Sequence, residues 1–126
     1  MIAIRELHGL PFIEASVTFR GNTIDLPLIL IDTGSAGTIL NVNRLEEIGV
    51  APEPDDKVEV IYGVGGHEFV YTKPMDVITL GNGIRIDDYM IELGTMDYGM
   101  DIDGIIGYDF LKELGAIVDL DHLKLR

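Results

Sequence analysis

The stretch Leu28-Ile29-Leu30-Ile31-Asp32-Thr33-Gly34-Ser35 places a carboxylate directly after four aliphatic residues. A continuous apolar run of this kind is typical of a strand that is buried on both faces. A carboxylate at the end of such a strand loses hydration, so its presence needs a chemical explanation. Gly34 permits a tight turn, and the hydroxyls of Thr33 and Ser35 can hold the turn or the carboxylate. The stretch therefore predicts a buried strand that ends in a rigid polar turn at Asp32.

A turn of this kind is suited to peptide-bond hydrolysis if a second carboxyl lies beside it. One carboxylate then takes a proton from water while a protonated carboxyl polarises the carbonyl group, and two adjacent carboxyls share the single proton that this requires. The sequence contains Asp-Thr-Gly only at residues 32–34, and Asp103-Gly104 lacks the intervening hydroxyl residue. A symmetric homodimer supplies the pair, because its two-fold axis places Asp32 opposite its own copy. The motif alone leaves an ordinary turn carboxylate open as the alternative, since Asp and Gly are common in turns.

Three motifs in this order resemble the retropepsin-like aspartic proteases, the single-domain dimeric relatives of pepsin that include bacterial and archaeal members. The first is residues 31–35, followed by Thr38-Ile39-Leu40. The second is residues 103–111, with two hydrophobic residues before a glycine and a helix after it. The third is a hairpin at residues 60–68 with a glycine-rich tip, similar to the flap of the family. The resemblance implies an all-β, closed, acid-protease barrel with one or two short helices, formed by residues 1–126 as a single domain.

The resemblance also implies a role for each matching residue. Asp32 is the expected catalytic residue of an aspartic endopeptidase that acts on an extended polypeptide. The expected supports of the catalytic loop are Thr33, Gly34 and Ser35. The expected flap and substrate-binding residues are Tyr62, Gly63, Val64, Gly65 and Gly66. The expected structural supports beside the loop are Ile105, Ile106 and Gly107.

The sequence departs from the viral members of the family at one pair of positions. Those proteins form an ion pair between an acidic residue after the catalytic turn and an arginine after the later glycine, and here the corresponding residues are Ala36 and Tyr108. Both charges are absent together, so neither is left unpaired. We expect residues 2–7 and 123–126 to act as edge strands in the dimer interface, as the termini do in the family.

The remaining elements follow from periodicity and turn residues. Alternation over residues 13–19 predicts a half-buried strand, Arg20-Gly21-Asn22 predicts a turn, and the return strand runs over residues 23–31. Pro27 is expected at an edge or bend, because proline has no ladder donor. A helix capped by Asn43 is predicted through residue 48, with Glu46 completing a capping box and Gly49 ending the helix. Strands are predicted at 58–62, 68–72, 75–80 and 84–93, after a polar linker at 52–56, and the last two strands are joined at 81–83. An acidic loop at 94–103, a helix at 108–114 that ends at Gly115, and a closing hairpin of 116–120 with 123–125 complete the chain.

Composition narrows the function further. The chain has 22 acidic and 9 basic side chains, a balance that disfavours nucleic acids and anionic membrane surfaces. There are no cysteines, and the three histidines lie far apart at positions 8, 67 and 122; we expect no metal and no cofactor. Charged residues in the first ten positions interrupt any signal-peptide core, so we expect a cytoplasmic protein. The alternative function is a non-catalytic peptide-binding or dimerisation module on the same fold.

Overall fold

The computed structural model describes residues 1–63, 66–81 and 83–126, and within them the chain is built of strands with two short helices. The predicted all-β class is confirmed. The strands are β1 Ile2–Ala3, β2 Arg5–Leu7, β3 Leu10–Phe19, β4 Asn22–Ile31, β5 Ile39–Asn41, β6 Val58–Gly63, β7 Gly66–Leu80, β8 Ile84–Gly94, β9 Gly104–Ile106, β10 Val118–Asp119 and β11 Lys124–Leu125. The helices are α1 Val42–Leu45 and α2 Tyr108–Leu114, and a 3-10 turn follows α1 over Glu46–Ile48.

The larger sheet closes on itself. Its strand order is β2-β3-β4-β9-β5-β8-β7-β6, and a further pairing of β3 with β7, the second strand from each end, closes a ring of six strands. β2 and β6 extend outward from this ring. Closure of this kind satisfies backbone groups that an open sheet would leave unpaired at its edges.

The apolar run before Asp32 separates two hydrophobic clusters. Ile29 and Ile31 lie in the larger cluster with most of the buried side chains, while Leu30 faces the opposite side and belongs to a second cluster. Each fully buried aliphatic side chain contributes roughly 1.5–3 kcal/mol to folding. The predicted burial of this strand on both faces is confirmed, and the alternation explains why its residues show no polar face.

The β3–β4 hairpin follows its prediction closely. Arg20 and Gly21 form the turn with φ of 48° and 86°, and positive φ at both central residues is typical of a hairpin turn matched to strand twist. The register shifts between Ile13 and Ala15, opposite Pro27. Pro27 therefore lies at a bulge, where the ladder is interrupted and a missing donor is tolerated.

One predicted break in the sheet was wrong. The strands expected at residues 68–72 and 75–80 form a single strand, β7, that passes through Lys73 and Pro74. The Thr72 amide points towards β6, where it donates to Lys57 O, so the alternation of a strand directs the nitrogen of Pro74 to the same side. The β6 ladder has already ended there at Val58, and the missing donor leaves no bond unmade.

Lys73 also ties the polar linker to the ring. Its side chain is only 2% exposed, and its ammonium contacts the carboxylates of Glu53 and Asp56, the latter at 2.8 Å. Arg20 pairs with Glu53 at 2.7 Å. Hydrogen bonds from Arg20 and then Lys73 lower the pKa of Glu53 to about 2. A buried lysine in the middle of a strand is thus compensated by two carboxylates from one loop.

The helices confirm one prediction and correct another. α2 covers the predicted residues and ends at Gly115, whose φ of 61° is the left-handed conformation that glycine adopts at helix ends. The expected cap Asn43 was wrong: Asn41 is the N-cap of α1, and its side chain accepts a hydrogen bond from the Asn43 amide. Among the described residues, no helix is long and apolar enough to cross a membrane.

The expected edge strands at the termini are correct for residues 2–7, since β1 and β2 each lie at the edge of a sheet, and wrong for residues 123–126. β11 is the central strand of a small sheet with the order β1-β11-β10, so both of its edges are paired within the chain. Ile2 pairs with Leu125, and Val118 pairs with Leu125 from the other side. The closing hairpin is confirmed with shorter strands. Residues 123–126 therefore do not provide the free edge that the dimer prediction assigned to them, because β1 and β10 occupy it first.

Candidate active site

Asp32 lies at the head of a loop, residues 32–38, that we call the Asp32 loop. Its amide donates to Ile106 O at 2.9 Å, and its Oδ1 accepts a hydrogen bond from the Gly34 amide at 2.9 Å. The Ser35 amide donates a hydrogen bond to Asp32 O at 3.1 Å. The carboxyl is half-buried, and Thr33 and Gly34 beside it are exposed. The loop thus fixes the carboxyl by its backbone while leaving it open to an approaching molecule.

Hydrogen bonds of Ser35 and close packing against Gly107 stabilise the middle of the loop. The Ser35 hydroxyl donates to Gly37 O at 2.8 Å, and Ser35 O accepts from the Tyr108 amide at 2.7 Å. A Cβ added to Gly107 would lie 2.2 Å from Gly37 O and 2.7 Å from Ser35 O. Both are backbone atoms, so only glycine fits where β9 leads into α2.

β9 joins the loop to the rest of the ring. Leu30 pairs with Ile105 and Ile31 with Ile106 in a parallel ladder, and Ile105 also pairs with Ile39 on its other side. Ile106 is buried in the larger cluster and Ile105 in the second. The strand at residues 104–106 therefore holds both ends of the Asp32 loop.

The predicted flap hairpin is present as β6 and β7. Tyr62 pairs with His67 and Gly63 with Gly66, and the Tyr62 side chain is 83% exposed. Val64 and Gly65, also assigned to the flap, lie outside the described residues. The hairpin fold is confirmed.

One face of this hairpin covers the second apolar cluster. Val70 is buried in that cluster and Ile61 packs against it, next to Leu30, Ile39 and Ile105. Paired residues of an antiparallel ladder share a face, and Ile61 lies opposite Glu68 on β7. The hairpin therefore packs on the cluster that also contains Leu30, two residues before Asp32.

Three residues behind the loop were not predicted as part of the site. Thr38 is buried; its hydroxyl accepts from the Gly107 amide at 3.1 Å and donates to Asp109 Oδ1 at 2.9 Å. Asp109 Oδ2 accepts from the Tyr89 hydroxyl at 3.0 Å. Burial and then the bond to Asp109 raise the pKa of Tyr89 above its usual value. The sequence motifs contained Thr38 and Asp109 but gave neither a role, and nothing local connected them to Tyr89.

Glu92 is a second carboxyl that the sequence did not reveal. A Cβ on Gly37 would lie 1.8 Å from its Oε1, and its amide donates to Thr38 O at 2.9 Å. Its Oε2 is buried and has no hydrogen-bond partner in the described part of the chain. Burial raises the pKa of Glu92, and nearby carboxylates add to the effect: Glu59, Asp109 and Glu68. The side chain is therefore held against the loop in surroundings that favour its neutral form.

Comparison with known families decides the identity. The family model described as aspartyl protease matches residues 15–110, which include the Asp32 loop, the β6–β7 hairpin and β9. The chain belongs to the aspartyl protease family. No curated protein matches it in a search of whole sequences.

Two grooves of this aspartyl protease chain lie away from Asp32. They have volumes of about 440 and 340 Å³ and adjoin each other near Glu14, Pro27 and Gly81. Neither is lined by the Asp32 loop. Within residues 1–63, 66–81 and 83–126, no three acidic or histidine side chains are placed to hold a metal ion.

Proposed function

We propose that this protein is an aspartic endopeptidase that acts as a homodimer, with Asp32 of each copy contributing one carboxyl to a shared site. The observation that supports this most directly is the geometry of Asp32, whose carboxyl accepts a hydrogen bond from the Gly34 amide yet stays half-buried beside the exposed Thr33 and Gly34. The backbone of the same residue is also held by β9, because the Asp32 amide donates to Ile106 O.

The chemistry requires the second copy. Two carboxyls at hydrogen-bonding distance share one proton, because ionising both would place like charges side by side. The ionised member takes a proton from the attacking water, and the protonated member donates to the carbonyl oxygen of the scissile bond. The exposed Thr33 is suited to cross-bracing the two loops. The residues themselves supply the acid and the base, so the proposed reaction needs no metal or cofactor.

The substrate is proposed to be an extended polypeptide. Ile61 of the hairpin is only partly buried where it packs against the second apolar cluster, and Tyr62 beside it is exposed, so these side chains are available to contact apolar side chains of a peptide. The hairpin tip, from Tyr62 to Gly66, would close over the peptide and add strand-like hydrogen bonds. Closure would exclude water from the shared proton.

The first test compares the natural chain with Asp32→Asn. Asparagine keeps an oxygen that can accept from the Gly34 amide, so the loop should persist while the acid–base function is lost. We expect a pooled peptide library to be cleaved over some range of pH by the natural protein, and the rate to fall by about 10³-fold or more in the variant. Specific peptide binding without cleavage by either protein would instead favour the non-catalytic module.

The second test asks whether the site is shared. If dimers form at random, a threefold excess of Asp32→Asn over the natural chain should reduce cleavage to about a quarter, because most natural chains then pair with an inactive partner. An added excess of an unrelated acidic protein serves as the control. Unchanged cleavage, or sedimentation only as a monomer of 13.9 kDa under conditions of full activity, would refute the shared site.

A further inference from the structure

The hydrogen bonds behind the Asp32 loop have only one consistent direction. The hydroxyl of Thr38 has a single proton, which it donates to Asp109 Oδ1, so it must accept the bond from the Gly107 amide. Asp109 accepts with both oxygens, the second from Tyr89. A set of bonds with one arrangement holds its members more firmly than one with interchangeable partners.

The members of this network come from three parts of the fold: the Asp32 loop, the start of α2 and β8. Thr38 ends the Asp32 loop, Gly107 follows β9, Asp109 lies in the first turn of α2, and Tyr89 lies in β8. Thr38 is 3% exposed. The Tyr89 ring packs edge-on against Phe110, with centroids 4.9 Å apart. The contact limits the movement of the tyrosine and so fixes the far end of the network.

We propose that Asp109 and Tyr89 are positioning residues that act through Thr38 to hold the Asp32 loop in its active geometry. The inference rests on the proposed function. It assigns to this network the connection that the missing ion pair at Ala36 and Tyr108 makes in viral relatives, since both join the segment after Asp32 to the segment after Gly107. Asp109 and Tyr89 need not touch the substrate for this role.

Activity measurements on matched variants test the proposal. Asp109→Ala and Thr38→Val should each lower kcat by about 10- to 100-fold with KM changed by less than about threefold, since small displacements of a reacting group are costly. Thr38→Ser retains the hydroxyl and should keep kcat within about threefold of the natural value. Tyr89→Phe removes one bond of three and should have a smaller effect than Asp109→Ala. Glu113→Gln is the control, because it removes a carboxylate from the exposed side of the same helix.

Amide hydrogen exchange provides a readout that does not depend on activity. The Gly107 amide donates to Thr38, so Thr38→Val should accelerate its exchange by about tenfold or more while Thr38→Ser and Glu113→Gln leave it unchanged. If Asp109→Ala fails to fold, Tyr89→Phe and the two Thr38 variants still decide the matter.

The outcomes separate the two proposals. Cleavage by the natural chain with unchanged kcat and unchanged Gly107 exchange in Thr38→Val and Asp109→Ala would overturn the positioning role alone. Absence of cleavage by the natural chain would overturn the proposed function, and exchange at Gly107 would then show whether the network holds the loop at all. Equal losses of kcat in Thr38→Ser and Thr38→Val would also refute the role of the hydroxyl.

Discussion

Replacing Gly107 with alanine is the change that the geometry predicts most sharply. The new Cβ would meet Gly37 O at 2.2 Å and Ser35 O at 2.7 Å, so one segment must move by roughly 1 Å to restore ordinary contact. The φ of Gly107 is −92°, a value open to any residue, and the cost is therefore steric alone. Overpacking of this kind destabilises by about 1–3 kcal/mol. The displaced backbone is the Asp32 loop itself.

Two measurements follow from that displacement. The midpoint of thermal unfolding, followed by circular dichroism, should fall by roughly 4–12 °C. Cleavage by the folded fraction should fall about 100-fold, because a shift of about 1 Å at a reacting group has an effect of that size.

The matched control is Gly83→Ala, since a Cβ at Gly83 meets nothing within 4 Å among the described residues. It should change stability by no more than about 0.5 kcal/mol. If Gly107→Ala unfolds at the natural temperature and cleaves at the natural rate, the loop is not held by this contact and the reasoning fails.

Three further predictions concern single side chains. The raised pKa of Glu92 means that the folded state favours the protonated side chain, so the contribution of Glu92 to stability is present below the ordinary pKa of 4.5 and is lost as pH rises. Unfolding in urea should therefore show that Glu92→Gln is more stable than the natural chain at pH 7 and equally stable near pH 4. The lowered pKa of Glu53 has the opposite sign, so the free energy of unfolding should decline as pH falls from about 4.5 to about 2. Lys73→Ala should melt at a lower temperature than the natural chain and show less of this decline. An unchanged dependence of stability on acid pH would contradict a stabilising contact between Lys73 and Glu53. Tyr98 donates to Glu68 on β7 at 2.8 Å, and Tyr98→Phe should raise KM several-fold with little effect on kcat; equal kinetic constants would show that this bond does not restrain the hairpin.

The parts of the fold that sequence predicted correctly are those fixed by neighbouring residues. The apolar run before Asp32 and the helix ending at Gly115 each have their cause within a few positions. The break predicted at Pro74 failed because its tolerance depends on where β6 stops. The cap of α1 was ambiguous locally, since Asn41 and Asn43 are equally suitable residue types. Only the folded backbone distinguishes them.

The residues of the candidate site also fall into two groups: those recognisable from a contiguous motif and those that only the fold brings together. Asp32 and Gly107 were recognisable because their motifs are contiguous in sequence. Thr38 and Asp109 are 71 positions apart, and their hydrogen bond has no local signature. Tyr89 has no local signature either, and its bond to Asp109 is what occupies its hydroxyl. Glu92 was missed because a single acidic residue in an alternating strand is ordinarily solvent-facing.

The parallel pairing of β4 with β9 has a consequence for the order of events during synthesis. The contact between Leu28 and Asp103 spans 75 positions, so a chain emerging from the ribosome contains Asp32 long before the strand that orients it. Slow closure of such distant segments is expected from their loop entropy. Under the proposed function, a nascent chain would thus hold Asp32 without its working geometry until β9 had been made, and neighbouring unfinished polypeptides would be spared until then.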